Sequence, residues 1–228
     1  MTLAHASRST LFALLACGAA AVPASAGQQA PRTPFSGRTL VEPAFQSSWL
    51  ALGSPPQTGE VVITEFMKDP TTVSDSHGEW IELWNTLPWR CDLDGWTISD
   101  RLGNTHTLTS GVSTALIMAP GARFVLALDG NPATNGGVTV NYVYSGLTLS
   151  NTAADQIILS KADGTLVDSI DFDNVNYPHT PGRALQLDFG NSSATSNDDP
   201  IEWCEATLGW DPTNPDLGTP GLANEICP

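Results

Sequence analysis

The sequence predicts an all-β protein built as a sandwich of two sheets, on three observations. From residue 60 onward, short runs rich in Val, Ile and aromatic residues are separated by turn residues every ten or so positions. The chain carries 20 Gly and 17 Pro, which suits many turns and few long helices. No window sustains the i, i+3, i+4, i+7 spacing of an amphipathic helix. With 41% hydrophobic and 14% charged residues there is enough apolar material for one sizeable core, which excludes wholesale disorder.

The chain opens with an expected export signal over residues 1–26. Residues 1–10 carry one cation, Arg8, and no acid; residues 11–22 are apolar or small throughout; Ala24-Ser25-Ala26 then supplies the A-x-A pattern read by a signal peptidase. The apolar run is shorter than the roughly 20 residues that span a bilayer, and no later segment approaches that length, so no transmembrane segment is expected. A rival reading takes Leu14-Leu15-Ala16-Cys17 as a lipobox acylated at Cys17. Against it, Arg8 leaves only residues 9–16 as the hydrophobic stretch, and Ala24-Ser25-Ala26 would have no purpose. The expectation is therefore cleavage near Ala26 and a secreted or cell-surface product, with a lipid anchor at Cys17 as the alternative.

Residues 27–58 are rich in Pro, Gln, Ser and Thr with scattered apolar positions, and read as a linker or loosely packed arm. Strands are expected over 60–67 (Val61, Val62, Ile63, Phe66) and over 79–85. The latter alternates, with Ile81 and Leu83 on one face and Trp80, Glu82 and Trp84 on the other. Further strands are expected over 95–99 (Trp96, Ile98), 104–108, and 114–118 and 123–128 around the turn Ala119-Pro120-Gly121-Ala122. Residues 138–144 would place Val140, Tyr142 and Tyr144 on one face. Residues 156–160 and 166–172 flank Lys161-Ala162-Asp163-Gly164, whose Asp-Gly step signals a hairpin. Gln186 and Leu187 would begin a last strand. Residues 176–228 form a loop-rich extension: from Asp188 it holds acids but no Lys or Arg, and it is broken by Pro200, Pro212, Pro215, Pro220 and Pro228.

The charge balance is strongly acidic, 24 Asp+Glu against 9 Lys+Arg, net −15. The only lysines are Lys68 and Lys161. Nucleic-acid binding through a basic patch is excluded, and docking on an anionic membrane face is disfavoured. Cys91, Cys204 and Cys227 follow the signal, an odd number, so one disulfide is expected in an exported chain. Cys204–Cys227 is the expected pair, because it would staple a Pro/Gly-rich tail with few other means of attachment. Cys91 is then a lone, buried thiol, and the spacing of the three is not that of a zinc site.

Five ordered blocks carry a resemblance. Gly59-Glu60-Val61-Val62-Ile63-Thr64-Glu65-Phe66-Met67, Gly78-Glu79-Trp80-Ile81-Glu82-Leu83-Trp84-Asn85 and Asp92-Leu93-Asp94-Gly95-Trp96-Thr97-Ile98-Ser99-Asp100 resemble the lamin tail domain family in its exported bacterial form. Ala119-Pro120-Gly121 before 124–128, and Leu149-Ser150-Asn151 through Gln156-Ile157-Ile158-Leu159 to Gly164-Thr165-Leu166-Val167-Asp168, continue it in order. The likeness covers about 59–172, with the domain itself bounded at 59–175. Trp203-Cys204 and Gly218-Thr219-Pro220-Gly221-Leu222-Ala223-Asn224 resemble the extension that follows in bacterial forms. The resemblance implies an immunoglobulin-like sandwich that is not itself catalytic. The coiled-coil rod of intermediate filaments has no counterpart here, since no heptad occurs. Independently of the likeness, Asp-Leu-x-Gly-Trp requires Leu93 and Trp96 inward and Gly95 at a turn with positive φ. The expected structural core is Trp80, Ile81, Leu83, Leu93 and Trp96.

No convergent catalytic set is visible. His77 and Glu79 offer no metal pair with Glu82, since Glu79 and Glu82 fall on opposite strand faces; His77 reads as a turn residue and both acids as solvent-facing. A Ser-His-Asp triad lacks the G-x-S-x-G elbow, and phosphate loops and cofactor fingerprints are absent, so no cofactor is expected. Weak calcium candidates are Asp171 and Asp173 in one loop, and Asp198 and Asp199 in another; hard oxygen ligands at close spacing suit that ion, but the full loop pattern is missing. Surface aromatics at Trp84, Trp89, Tyr142 and Tyr144 are candidates for contact with a protein or glycan at the cell exterior. The expected function is a non-catalytic secreted or cell-surface binding or scaffolding module. The alternatives are an accessory part of an extracellular nuclease or phosphoesterase system, or a lipid-anchored envelope protein.

Overall fold

Strand β1 (Val61–Met67) is buried at every position, because both of its faces are covered. The computed structural model describes residues 59–111 and 116–228, all within the second of the chain's two units, Pro55–Pro228. The signal over 1–26 with its cleavage near Ala26 and the Cys17 alternative, and the linker over 27–58, lie outside the described residues.

A short helix α1 (Asp75–Gly78) leads into β2 (Trp80–Asn85), followed by β3 (Cys91–Asp92), β4 (Thr97–Ser99), β5 (Thr105–Thr107), β6 (Ile117–Met118), β7 (Arg123–Ala127), β8 (Tyr142–Val143), β9 (Asp155–Ser160), β10 (Leu166–Phe172), β11 (Leu185–Leu187) and β12 (Trp203–Glu205). Three 3₁₀ turns, Phe189–Asn191, Ser196–Asp198 and Pro200–Glu202, separate the last two strands. One sheet runs β12-β11-β1-β2-β7-β8, a second runs β10-β9-β4-β5, and β3 pairs with β6. The fold is all-β. Among the described residues no helix is long and apolar enough to cross a membrane.

Register assigns the faces. Phe66 stands opposite Leu185 and Ile81, and Ile81 opposite Leu126, so these side chains share the face turned to the second sheet. There Phe66 packs on Phe172 of β10 with ring centroids 4.7 Å apart. The second sheet answers with Ile98, Leu159, Ile157 and Ile170, all buried. Trp80, Ile81, Leu83, Leu93 and Trp96 are all buried. Gly95 occupies the third position of a turn closed by the Trp96 N–H to the Leu93 carbonyl, with φ 80°; a Cβ there would also stand 3.0 Å from Ala162 Cβ, so only glycine fits. The Asp163-Gly164 hairpin joins β9 to β10, Gly164 having φ 84°.

Three sequence expectations need correction. The acids of β2 and of the residue before it do not face solvent: Glu79 and Glu82 are buried. The reason is that the outer face of the first sheet is also covered. Met67, Trp80, Val125 and Ala127 pack beneath Val138, Val140, Ala184, Ala206, Trp210 and Leu217, so the residues after 176 roof this sheet as well as adding β11 and β12 to its edge. Second, Val140 does not share a face with the tyrosines; only Tyr142–Val143 is strand, and Val140 packs in the outer cluster. Third, the last strand begins at Leu185, and a further strand, β12, follows it.

Candidate functional site

A polar cluster on the roofed outer face of the first sheet is built on a strand irregularity. β1 carries a bulge between Ile63 and Glu65, leaving Thr64 without a register partner, so Thr64 and Glu65 both meet Glu82 of β2. The Thr64 hydroxyl donates to Glu82 at 2.8 Å, the freed Thr64 carbonyl accepts from Asn224 Nδ2 at 2.7 Å, and Arg123 pairs with Glu82. Glu65 accepts from the Thr219 N–H and hydroxyl, both at 2.8 Å, and Glu82 from the Gly221 N–H at 2.7 Å. Burial and then the neighbouring Glu82 charge push Glu65 well above the usual carboxylate range. The Arg123 guanidinium paired with Glu82 acts against that rise. These groups lock residues 218–224 to the sheet and are not accessible to a substrate. The Cys204–Cys227 disulfide, with Cα atoms 5.7 Å apart, closes the same tail, while Cys91 is buried and takes no part in it.

The described histidines are held in pairs. His77 Nδ1 meets Asp129 Oδ2 at 2.8 Å, and His179 Nε2 meets Asp69 Oδ2 at 3.1 Å. His106 Nδ1 accepts the Ser145 N–H at 3.2 Å, so its proton sits on Nε2 and is donated to the Tyr142 hydroxyl at 3.0 Å. That hydroxyl also accepts the Thr109 N–H at 3.1 Å. Tyr142 on β8 and His106 on β5 thus tie the edge strands of the two sheets together.

Beside this tie, at the end of the sandwich where β2 begins and β7 ends, lies an open cavity of about 300 Å³. Ser76 of α1, Asn104 of the turn before β5, Leu128 after β7, and Tyr144, Ser145 and Thr148 after β8 line it. Asp100 fixes Asn104 by accepting its N–H at 2.8 Å and its amide at 2.6 Å. Tyr144 is 1% exposed, and its hydroxyl has no hydrogen-bond partner among the described residues. Behind it Glu79 accepts the Leu149 N–H at 2.9 Å, and burial pushes its carboxyl up to about 8. Burial, and next the Glu79 charge, push the Tyr144 phenol upward.

A second depression, of about 230 Å³, holds Arg101, Asp171, Asp173, Tyr177 and Asp198. It brings together three of the four weak calcium candidates; Asp199 instead caps the turn Pro200–Glu202 by accepting the Ile201 N–H at 3.1 Å. Asp171 is paired with Arg101. Asp173 accepts the Val175 and Asn176 N–H groups at 2.8 and 2.7 Å, which hold its carboxyl below the usual range. Among the described residues, no group of three or more His, Cys, Asp or Glu side chains is placed to hold a metal ion.

Of the candidate aromatics, Trp89 is 54% exposed, at the opposite end of β2 from the 300 Å³ cavity. Trp84 lies under the Arg123 guanidinium, 5.4 Å away. Asn85 pins the intervening loop by donating to the carbonyls of Trp89 and Ala119, each at 3.0 Å. Sequence reasoning missed Glu65, Asp168 and the Tyr144 cavity. Isolated acids inside otherwise apolar strands, Val-Val-Ile-Thr-Glu-Phe-Met and Leu-Val-Asp-Ser-Ile-Asp-Phe, were the available signal for the first two.

No curated protein matches the chain. A family model described as Lamin Tail Domain matches residues 54–174, the span from just before β1 to the loop after β10, which holds every strand of the sandwich except the two added by the extension. With more than half of the sequence matched and the strand order in place, the chain belongs to the lamin tail domain family.

Proposed function

We propose that the protein is a non-catalytic binding or scaffolding module that works outside the cytoplasm, secreted or held at the cell surface. The observation that carries this reading is the use to which the titratable side chains are put. The buried carboxylates Glu65, Glu82 and Asp168 hold strands and tail in register. His77, His106 and His179 are each engaged by a neighbouring side chain. Among the described residues the fold presents outward a cavity of uncharged groups at one end, Trp89 at the other, and the depression around the Arg101–Asp171 pair. The disulfide fits an oxidising compartment, as does the export signal read over 1–26. The test is a purified protein assayed on phosphodiester, phosphomonoester and peptide substrates. Background turnover is expected; robust turnover would overturn the reading. Mass spectrometry of the mature N-terminus is expected to give Gly27, and an acylated Cys17 would overturn the soluble form.

A further inference from the structure

We propose that the cavity walled by Tyr144 is a site for one neutral sugar residue of an extracellular glycan; this rests on the binding-module reading above and gives it a ligand class. The lining is chemically selective. Ser76, Ser145 and Thr148 supply hydroxyls that both donate and accept, and Asn104 adds an amide with the same double capacity. Leu128 supplies apolar wall for the C–H face of a pyranose, and Tyr144, 1% exposed, closes the lining from behind. Among the described residues no charged side chain lines the cavity. A cation would find no carboxylate to meet it. An anion would approach a chain of net charge −15 with no cation in the pocket. A neutral, hydroxyl-rich ligand is what this combination favours.

The positioning of the walls is prepared in advance: Asp100 holds Asn104, His106 holds the Ser145 backbone, and Glu79 holds the backbone just after Thr148 through the Leu149 N–H. The volume, about 300 Å³, is at the small end of ligand sites, which fits a single ring and not an extended chain.

The experiment titrates the full exported chain with neutral oligosaccharides of glucose, galactose, mannose and N-acetylglucosamine, followed by saturation-transfer NMR and calorimetry. Binding of at least one probe is expected. Thr148→Trp, which fills the cavity, is expected to abolish it. Trp89→Ala, at the far end, is expected to leave it unchanged. Absence of binding by every probe to a folded chain, or binding that survives Thr148→Trp, overturns the sugar site. Neither result bears on the module reading, which falls only to robust hydrolytic turnover.

Discussion

Asp168 of β10 accepts the backbone N–H of Ile63 of β1 at 2.6 Å, so a carboxyl group joins the two sheets through the middle of the core. It also accepts Asn197 Nδ2 at 2.7 Å, and Asn197 in turn donates to the Ile63 carbonyl at 3.3 Å. Asp168 shares its face with Ile170 and Phe172, where an apolar side chain would be the ordinary occupant. Asp168→Ala deprives two buried donors of this acceptor and is expected to cost about 2–4 kcal/mol, read as a lower urea midpoint at unchanged m-value. Asp168→Asn keeps an acceptor of the same size and is expected to recover part of the loss. Equal stability of Asp168→Ala and the parent chain would show that the inter-sheet bond contributes nothing.

The buried acids also set a pH dependence. Burial pushes Glu79 and Asp168 up to about 8, from ordinary values of 4.5 and 3.8. Between those limits the folded chain keeps protons that the unfolded chain releases, so stability falls as pH rises through the window and levels off above about 8. The exposed acids Asp94, Asp129 and Asp163 are shifted the opposite way, by hydrogen bonds from Ser110, Thr134 and Thr165, and their small contributions vanish below about pH 4. The melting temperature is therefore expected to peak near pH 5 and to be several degrees lower at pH 8. Glu79→Gln, which cannot ionise, is expected to flatten part of that decline. A melting temperature that rises from pH 5 to pH 8 would contradict the assignment.

The strands were legible because their signals are local. Gly95 before Trp96 announced a turn, Asp163-Gly164 a hairpin, and the alternation in 79–85 a strand. The two-sided burial of β2 was not legible from alternation, since Trp80-Ile81-Glu82-Leu83-Trp84 reads as one apolar and one mixed face. Only the roof from residues far along the chain, Ala206, Trp210 and Leu217, buries the mixed face. The same holds for Glu65, whose partner Thr219 lies 154 residues away. The sugar cavity was less legible still: its six named walls come from four separate segments of the chain and carry no motif.

The Arg101–Asp171 ion pair bears on calcium. It places a fixed cation among the acids of the smaller depression, and Asp173 spends its oxygens on its own loop. Millimolar calcium is expected to leave the melting temperature within about 1 °C of its value in chelator. Arg101→Ala removes the competing charge and is the variant in which a calcium-dependent shift is expected first. A shift of several degrees in the parent chain would restore the weak site read over 171–173 and 198–199.

Closure of the tail by Cys204–Cys227 spans 23 positions. On the chain-entropy model, opening it costs about 3 kcal/mol. Replacing both cysteines by Ala is expected to lower the melting temperature by roughly 6–12 °C without changing the far-ultraviolet dichroism of the folded state, because the strands match across Leu185–Leu187 and Trp203–Glu205 independently of the bridge. Loss of the β signal at low temperature would instead assign the disulfide a role in forming the sheet edge.

Asn224 is the polar counterpart of that staple. Its amide donates to the Thr64 carbonyl at 2.7 Å and to the Leu187 carbonyl at 2.8 Å, reaching the bulge in β1 and the end of β11 together. Asn224→Ala leaves two buried carbonyls short of a donor and is expected to cost about 2–3 kcal/mol. The tail that presents Asn224 is also the tail the disulfide restrains, so the two losses are not independent. Once the bridge is gone, the tail detaches more readily before the rest unfolds, and less remains to be lost at Asn224. Denaturation of the single variants, the double-cysteine variant and the combination is expected to show a summed loss larger than the measured one by about 0.5 kcal/mol or more. Strict additivity would mean that residues 218–224 stay docked on Glu65 and Glu82 without the bridge, and that the carboxylate pair alone holds the roof over the sheet.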